Sequence, residues 1–384
     1  MKKNNGLKLL IFSVFFCIYV FPSGLINNGV IISKFIFVLC SSFVYLIDIL
    51  KTKKIKMIEI LSILLIISFS VYTRNYELLM FITLPLLFRI IKYKNDIRDI
   101  IINSKLLYIC LFFTIMYSLV YFGNRGRYAF TAIKEINQSG LSIFCLSCLL
   151  YYKNRSIGMI NFIFGLLTIS RSYYLSIIIL FFYNKFIRDR IKKNSRIFSI
   201  FNYLNFTIIT SVLFILLGYL FLFKYKIGEI YWGDELNSRL VNIFDYSNFF
   251  RFTAVLNLLN IISINPKFLL YGISQDNYIK YSILSCQKLN IPYRYTVPHN
   301  LFFAHLRIYG LFSIIETIVI NKILKPLINN NNFGVYTGLI FYSCFLGAGF
   351  YSYWLYISIF LLIIWEIQGV KTNEENYKKV SCKI

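Results

Sequence analysis

Long apolar blocks recur along the whole of this chain, and each is closed by a short polar or charged turn. A block of roughly 15 to 20 residues is the length a helix needs to cross a hydrocarbon core about 30 Å thick. Backbone amides and carbonyls find no water in lipid, so each block must satisfy its own hydrogen bonds as a helix. Composition points the same way. Of 384 residues, 58% are hydrophobic and 15% are charged, whereas about a quarter of a soluble domain is charged. The expectation is an all-α, polytopic integral membrane protein of about 12 transmembrane helices, forming one membrane domain over residues 1–384.

The net charge of +25 could signal a nucleic-acid partner, but its distribution excludes one. Blocks are expected at 7–22, 30–49, 57–72, up to Ile91, 106–122, up to Tyr152, 204–223, 300–320, 333–349 and 351–367. Lys51, Lys53, Lys54 and Lys56 follow the second block, and Arg89, Lys92, Lys94, Arg98 and Lys105 surround the end of the fourth. Lys153 and Arg155 follow the sixth, and Lys322 and Lys325 follow 300–320. Cations in every second connection are the positive-inside pattern of cytoplasmic loops, with both termini cytoplasmic. The intervening turns, 22–29, the turn with Arg74 and Glu77, and 123–137, then lie outside. The first block, after Lys2 and Lys3, lacks a small-residue cleavage pattern and reads as an uncleaved span. Of eight cysteines only Cys286 falls in the long outer loop, so no disulfide forms within that loop.

Residues 157–187 form one apolar run interrupted by Ser170-Arg171-Ser172. A single span would bury Arg171 at about 2.5–3.5 kcal/mol or more. It would also leave either Lys153/Arg155 or the cluster from Lys185 to Arg196 on the outside. Two short spans joined by a tight outer turn keep both groups inside and put Arg171 at the outer face. Residues 1–223 then hold spans 1–9, 224–299 a large periplasmic loop, and 300–384 spans 10–12 and a polar tail. Within the loop, Phe249, Phe252, Leu256, Leu259 and Ile262 recur at helical spacing, with Ser247 as N-cap. Asn265-Pro266 ends that helix, Gly272 makes a turn, and a second helix is expected from Asp276 to Leu289. Both have apolar faces, which places them on the membrane surface or over the bundle as a lid.

His299 sits where the loop re-enters the apolar region, in Val297-Pro298-His299-Asn300-Leu301. A histidine there accepts a proton near neutral pH, or is an interfacial residue without a role. His305 reads as a packing residue or a partner behind the site. Arg125, Arg127, Arg171, Arg239, Arg251, Arg294 and Arg307 all fall on the outer face, against the positive-inside bias. Guanidinium grips phosphate oxygens with two hydrogen bonds, so such a set suits a diphosphate; each one alone also suits anionic headgroups. Loop aromatics, Tyr278 among them, either stack on sugar rings or belong to an interfacial belt. No GxxxxGK[ST] loop, paired metal ligands or DxD pair is present, which argues against ATP hydrolysis and a metal–nucleotide donor and leaves the cofactor expectation at none.

Three segments together resemble the bacterial O-antigen polymerase and ligase superfamily. Ser170-Arg171-Ser172 looks like its turn after an apolar run. Arg251 through Asn265-Pro266 to Gly272 is similar to its arginine-helix-NP-G stretch. His299-Asn300-Leu301 followed by Gly310-Leu311 looks like its re-entry motif. Tyr173 stands where that family has a small residue, and no tryptophan follows Arg251 at the matching helix face. The resemblance implies a GT-C-like inner-membrane glycosyltransferase, inverting and metal-independent, acting at the periplasmic face on saccharides carried by undecaprenyl pyrophosphate. His299, Arg171 and Arg251 would be catalytic, and Arg125, Arg127, Arg294, Asn300 and Tyr278 would bind pyrophosphate or sugar. Polymerisation of O-antigen or capsular repeat units is the favoured activity, with a chain-length regulator as a possible protein partner. Ligation of finished glycan to lipid A–core or protein is the sister alternative. A lipid-linked oligosaccharide flippase is the alternative of another class, disfavoured by the absence of paired halves.

Overall fold

The computed structural model describes residues 5–52, 57–73, 76–120, 136–168, 170–188, 201–233, 242–346 and 353–366. Among these the structure is all-helical; the one β pairing described is an isolated bridge between Tyr231 and Asp245. In chain order the α-helices are α1 (Asn5–Phe15), α2 (Gly29–Thr52), α3 (Met57–Thr73), α4 (Leu84–Ile90), α5 (Lys94–Asn103) and α6 (Leu106–Val120). There follow α7 (Ile136–Lys153), α8 (Arg155–Gly165), α9 (Arg171–Phe182), α10 (Tyr203–Lys226), α11 (Tyr246–Ile264) and α12 (Lys267–Tyr271). The last are α13 (Gln275–Leu289), α14 (Leu301–Tyr309), α15 (Phe312–Leu324), α16 (Phe333–Leu346) and α17 (Tyr353–Trp365).

Three of these helices, α2, α10 and α11, are each long and apolar enough to cross a membrane. Leu79–Asn103 and Leu106–Val120 pass the same test together, bent by 55°. Shorter apolar helices cover Asn5–Val20, Glu59–Val71, Arg155–Thr168, Phe333–Tyr342 and Tyr353–Trp365. The faces of the long helices are inverted relative to a soluble protein. On α2, Gly29, Ser33 and Ser41 are buried with Phe37, while Phe35, Leu39, Phe43, Leu46 and Leu50 are exposed. On α10, Thr207, Ser211 and Gly218 are buried, while Ile208, Val212, Leu216, Tyr219 and Phe223 are exposed. Small and weakly polar residues let helix backbones approach, and large apolar ones face outward: that is the arrangement of helices packed in lipid.

The chain from α7 to α9 folds back on itself twice. Gly158 lies against the backbone of Tyr151, and Asn161 Nδ2 donates to Ser147 Oγ at 2.8 Å, zipping α8 antiparallel to α7. The rings of Phe162 and Phe181 then meet at 5.5 Å although nineteen positions separate them, so α9 runs antiparallel to α8. The run 157–187 is therefore a hairpin, as the charge pattern required. Lys153, Arg155, Lys185 and Arg188 share one end of the bundle and Arg171 the other. That first end, called the basic end below, also holds Arg89, whose two nitrogens pair with Asp48 and Glu59 at 2.7 Å each, and Lys94, 3.0 Å from Glu366. The asparagine run behaves as a structural turn there: Asn332 Nδ2 donates to the carbonyls of Leu327 and Leu362.

Two features differ from expectation. The block 300–320 is not one helix. It breaks at Gly310, whose φ of 57° with ψ of −136° is a conformation open to glycine. The break is sharp, because His305 on α14 touches Glu316 on α15 at 2.7 Å. In an unbroken helix eleven residues would separate them by about 16 Å along the axis. Gly310 also packs on a second glycine turn: a Cβ on Gly310 would lie 2.6 Å from Gly272 N, and one on Gly272 (φ 82°) would strike the carbonyl of Ile308. The other difference is α11. It packs lengthwise and antiparallel along α10, with Tyr225 on Phe249 at 5.0 Å, Phe221 on Phe252 at 5.1 Å and Gly218 against Leu256.

Candidate functional site

The N-terminal turns of α11 gather three of the expected arginines. Asp245, not Ser247, caps this helix: its Oδ1 accepts from Asn248 N at 2.7 Å. Aspartate is among the best N-caps because its carboxylate satisfies an orphan N–H and meets the positive end of the helix dipole. The other oxygen, Oδ2, faces Arg171 Nη2 at 3.1 Å. Arg171 reaches it from the start of α9, held in place by a turn in which Tyr173 and Tyr174 donate to the carbonyls of Phe162 and Leu166 at 2.8 Å each. Asn248 Oδ1 in turn lies 3.5 Å from Arg251 Nη1. Arg294 lies over the rings of Tyr246 and Phe250, at 5.4 and 5.3 Å from their centres.

One aspartate and one asparagine thus tie Arg171 and Arg251 to the same helix turn that carries Arg294. Asp245, the carboxylate that Arg171 pairs with, is 1% exposed, whereas the Arg171 side chain is 40% exposed. Such a grouping sets three guanidinium groups around one helix N-terminus, a setting that suits an anion with several oxygens.

His299 and Asn300 lie at the far end of the segment that begins beside Arg294. Residues 291–299 carry no regular structure and run from the end of α13 to the start of α14. Asn300 caps α14, accepting from Phe303 N at 3.2 Å, and its Oδ1 lies 3.4 Å from Ser211 Oγ. Ser211 is ten residues from Phe221, whose ring meets Phe244, the neighbour of Asp245, at 5.2 Å. Along α10 that separation is about 15 Å. The structure therefore groups the arginines, and it sets His299 at the α14 end of 291–299, beside Asn300. Asn300 is 1% exposed, and its Nδ2 is buried with no acceptor among the described residues. A buried amide donor left this way is a point where a substrate oxygen can bind.

Tyr278 is fully buried and supports this segment from behind. Its hydroxyl donates to Thr296 O at 2.9 Å, its ring meets Tyr295 at 6.2 Å, and Arg307 lies over it at 5.2 Å. Burial pushes its phenol well above the ordinary range, so it remains a donor. Tyr278 is thus a positioning group rather than a sugar platform, since a fully buried ring has no free face. His305 makes the buried pair with Glu316, both side chains under 8% exposed. Arg125, Arg127 and Arg239 lie outside the described residues. No group of three or more histidine, cysteine, aspartate or glutamate side chains suited to a metal occurs among the described residues.

Sequence reasoning missed Asp245 and Asn248. A signal existed: an aspartate directly before an apolar helical run caps as well as a serine and adds negative charge at the positive end of the helix dipole. Compared with protein-family models, characterised proteins and solved structures, the chain matches none.

Proposed function

We propose that this protein is a membrane-embedded glycosyltransferase that joins saccharide repeat units carried on undecaprenyl pyrophosphate, as an O-antigen or capsular polysaccharide polymerase of the bacterial inner membrane. In this reading about 12 helices span the bilayer, the basic end and both termini face the cytoplasm, and the arginine end faces the periplasm. The observation that carries it is the convergence of Arg171, Arg251 and Arg294 on the first turns of α11. Three permanently charged guanidinium groups gathered around one helix N-terminus suit a diphosphate, the leaving group of such a transfer.

An acceptor hydroxyl attacks the anomeric carbon of the donor. The new glycosidic C–O bond forms as the bond from that carbon to the pyrophosphate oxygen breaks. The arginines hold the negative charge that grows on the leaving diphosphate. His299, beyond the sugar along 291–299, takes the hydroxyl proton, and the Asn300 amide orients a sugar oxygen. Base and anion-binding roles fall at separate ends of one segment, so His299 has no need to touch the phosphates.

The test is a deletion strain carrying alanine variants at Arg171, Arg251, Arg294 and His299, scored by polysaccharide length on a gel. Removing one charge-stabilising donor typically costs 10²–10³-fold in rate, so long chains should vanish from the Arg171 variant at normal expression. Long chains of normal length from all four variants would sink the proposal. The deletion itself separates the alternatives: single repeat units on the core mean polymerase, no glycan on the core with chains retained on the lipid carrier means ligase, and repeat-unit lipid trapped on the cytoplasmic face means flippase.

A further inference from the structure

We infer that a cleft at the basic end, far from the arginine site, binds an anionic phospholipid of the adjoining leaflet. This depends on the protein lying in a membrane and not on the reaction proposed above. The cleft has a volume of about 550 Å³, within the ~300–1,000 Å³ range of small-molecule sites. It lies between α7, α8, α9 and the end of α17. Its floor is apolar and aromatic: Phe162 and Phe181 face each other, and Trp365 stacks on Tyr151 with centroids 5.9 Å apart. Its rim carries Arg155, Lys185 and Arg188, and among the described residues no carboxylate lines it.

The floor and the rim ask for different halves of one molecule. Arg155 and Lys185 rest on the rings of Tyr151 and Phe186 and make no ion pair among the described residues. Elsewhere at this end, Arg89 and Lys94 are neutralised by carboxylates. A basic pocket between helices at the cytoplasmic side is the setting in which acidic headgroups bind. The flanking surface is equally specific. Ile160, Ile163 and Ile178 are each at least 61% exposed on α8 and α9. An acyl chain can lie along them while the headgroup sits on the rim. Asn184 Oδ1 lines the cleft, is buried, and has no donor among the described residues. A headgroup hydroxyl supplies one, so phosphatidylglycerol is the lipid whose phosphate and glycerol fit both.

The experiment uses the full chain purified in neutral detergent, with bound lipid counted by native mass spectrometry during titration with phosphatidylglycerol or phosphatidylcholine. Phosphatidylglycerol should be retained and phosphatidylcholine should not. Replacing Arg155→Gln, Lys185→Gln and Arg188→Gln together should weaken retention roughly 100-fold. Met159→Trp keeps every charge and fills the cleft, and should weaken it about tenfold. That variant decides the matter if the triple one fails to fold, as judged by its melting profile. Equal retention of both lipids, unchanged retention in the Met159→Trp variant, or complete displacement by excess inorganic phosphate would each overturn the proposal, the last by pointing to a free-phosphate site.

Discussion

Arg89 at the basic end is held by two carboxylates at 2.7 Å and shows 14% of its side chain; Arg171 at the opposite end has one carboxylate at 3.1 Å and shows 40%. The Arg89 knot is closed further by Tyr45, which donates to Glu59 at 2.7 Å while its ring lies 5.0 Å from the guanidinium. All its charge is consumed in joining α2, α3 and α4. Arg171 pairs with Asp245, and on the same helix turns Arg251 meets an asparagine and Arg294 two aromatic faces. Charge that is neutralised locally serves the fold. Cations gathered around one helix N-terminus, with a partly exposed guanidinium among them, point to an anionic ligand.

That contrast can be broken by experiment. Arg89→Ala strands Asp48 and Glu59 in a half-buried place, so it should destabilise the protein by about 3–5 kcal/mol, read as a lower melting temperature in detergent. A melt unchanged by this variant would remove the distinction. His305→Leu leaves Glu316 buried without its donor and should cost about 2–3 kcal/mol by the same assay. Gly310→Ala should cost about 1–3 kcal/mol through backbone strain alone, and more through its collision with the Gly272 turn. Asn300→Ala removes a helix cap and should cost about 1 kcal/mol. Arg171→Ala comes last for stability, at no more than about 1 kcal/mol for a partly exposed pair, yet first for polymer length. If Arg171→Ala melts as low as Arg89→Ala, Arg171 is a fold residue and the arginine site loses its anchor.

Hydropathy and charge located most of the helices, because a lipid-facing helix announces itself by length and composition. The α8–α9 hairpin was legible from Lys153 and Lys185 rather than from the apolar run itself. The break at Gly310 was not, because Leu301–Tyr309 and Phe312–Leu324 are both apolar and hydropathy averages through a single glycine. The partnership of His305 with Glu316 depends on that break and was equally hidden. Arg171 and Arg251 could be nominated from sequence. What joins them, Asp245 on Arg171 and Asn248 on Arg251, is a tertiary fact: seventy-four residues separate Arg171 from Asp245. For Tyr278 the residue was legible and its role was not, since burial decides whether a ring is a platform or a prop.

The paired glycine turns have a consequence for how this protein could diversify. Leu311 N donates to Leu269 O at 2.7 Å and Ile273 N to Arg307 O at 2.6 Å, so the chain leaves and returns through one clasp. Everything from Gly272 to Gly310, including Tyr278, Arg294, His299 and Asn300, hangs from that clasp as a closed cassette. Loop-closure cost rises slowly with length, so residues inside the cassette can be added or exchanged without re-threading the helices that hold it. A lineage that altered what this segment recognises would have one segment to rewrite and two glycines to keep.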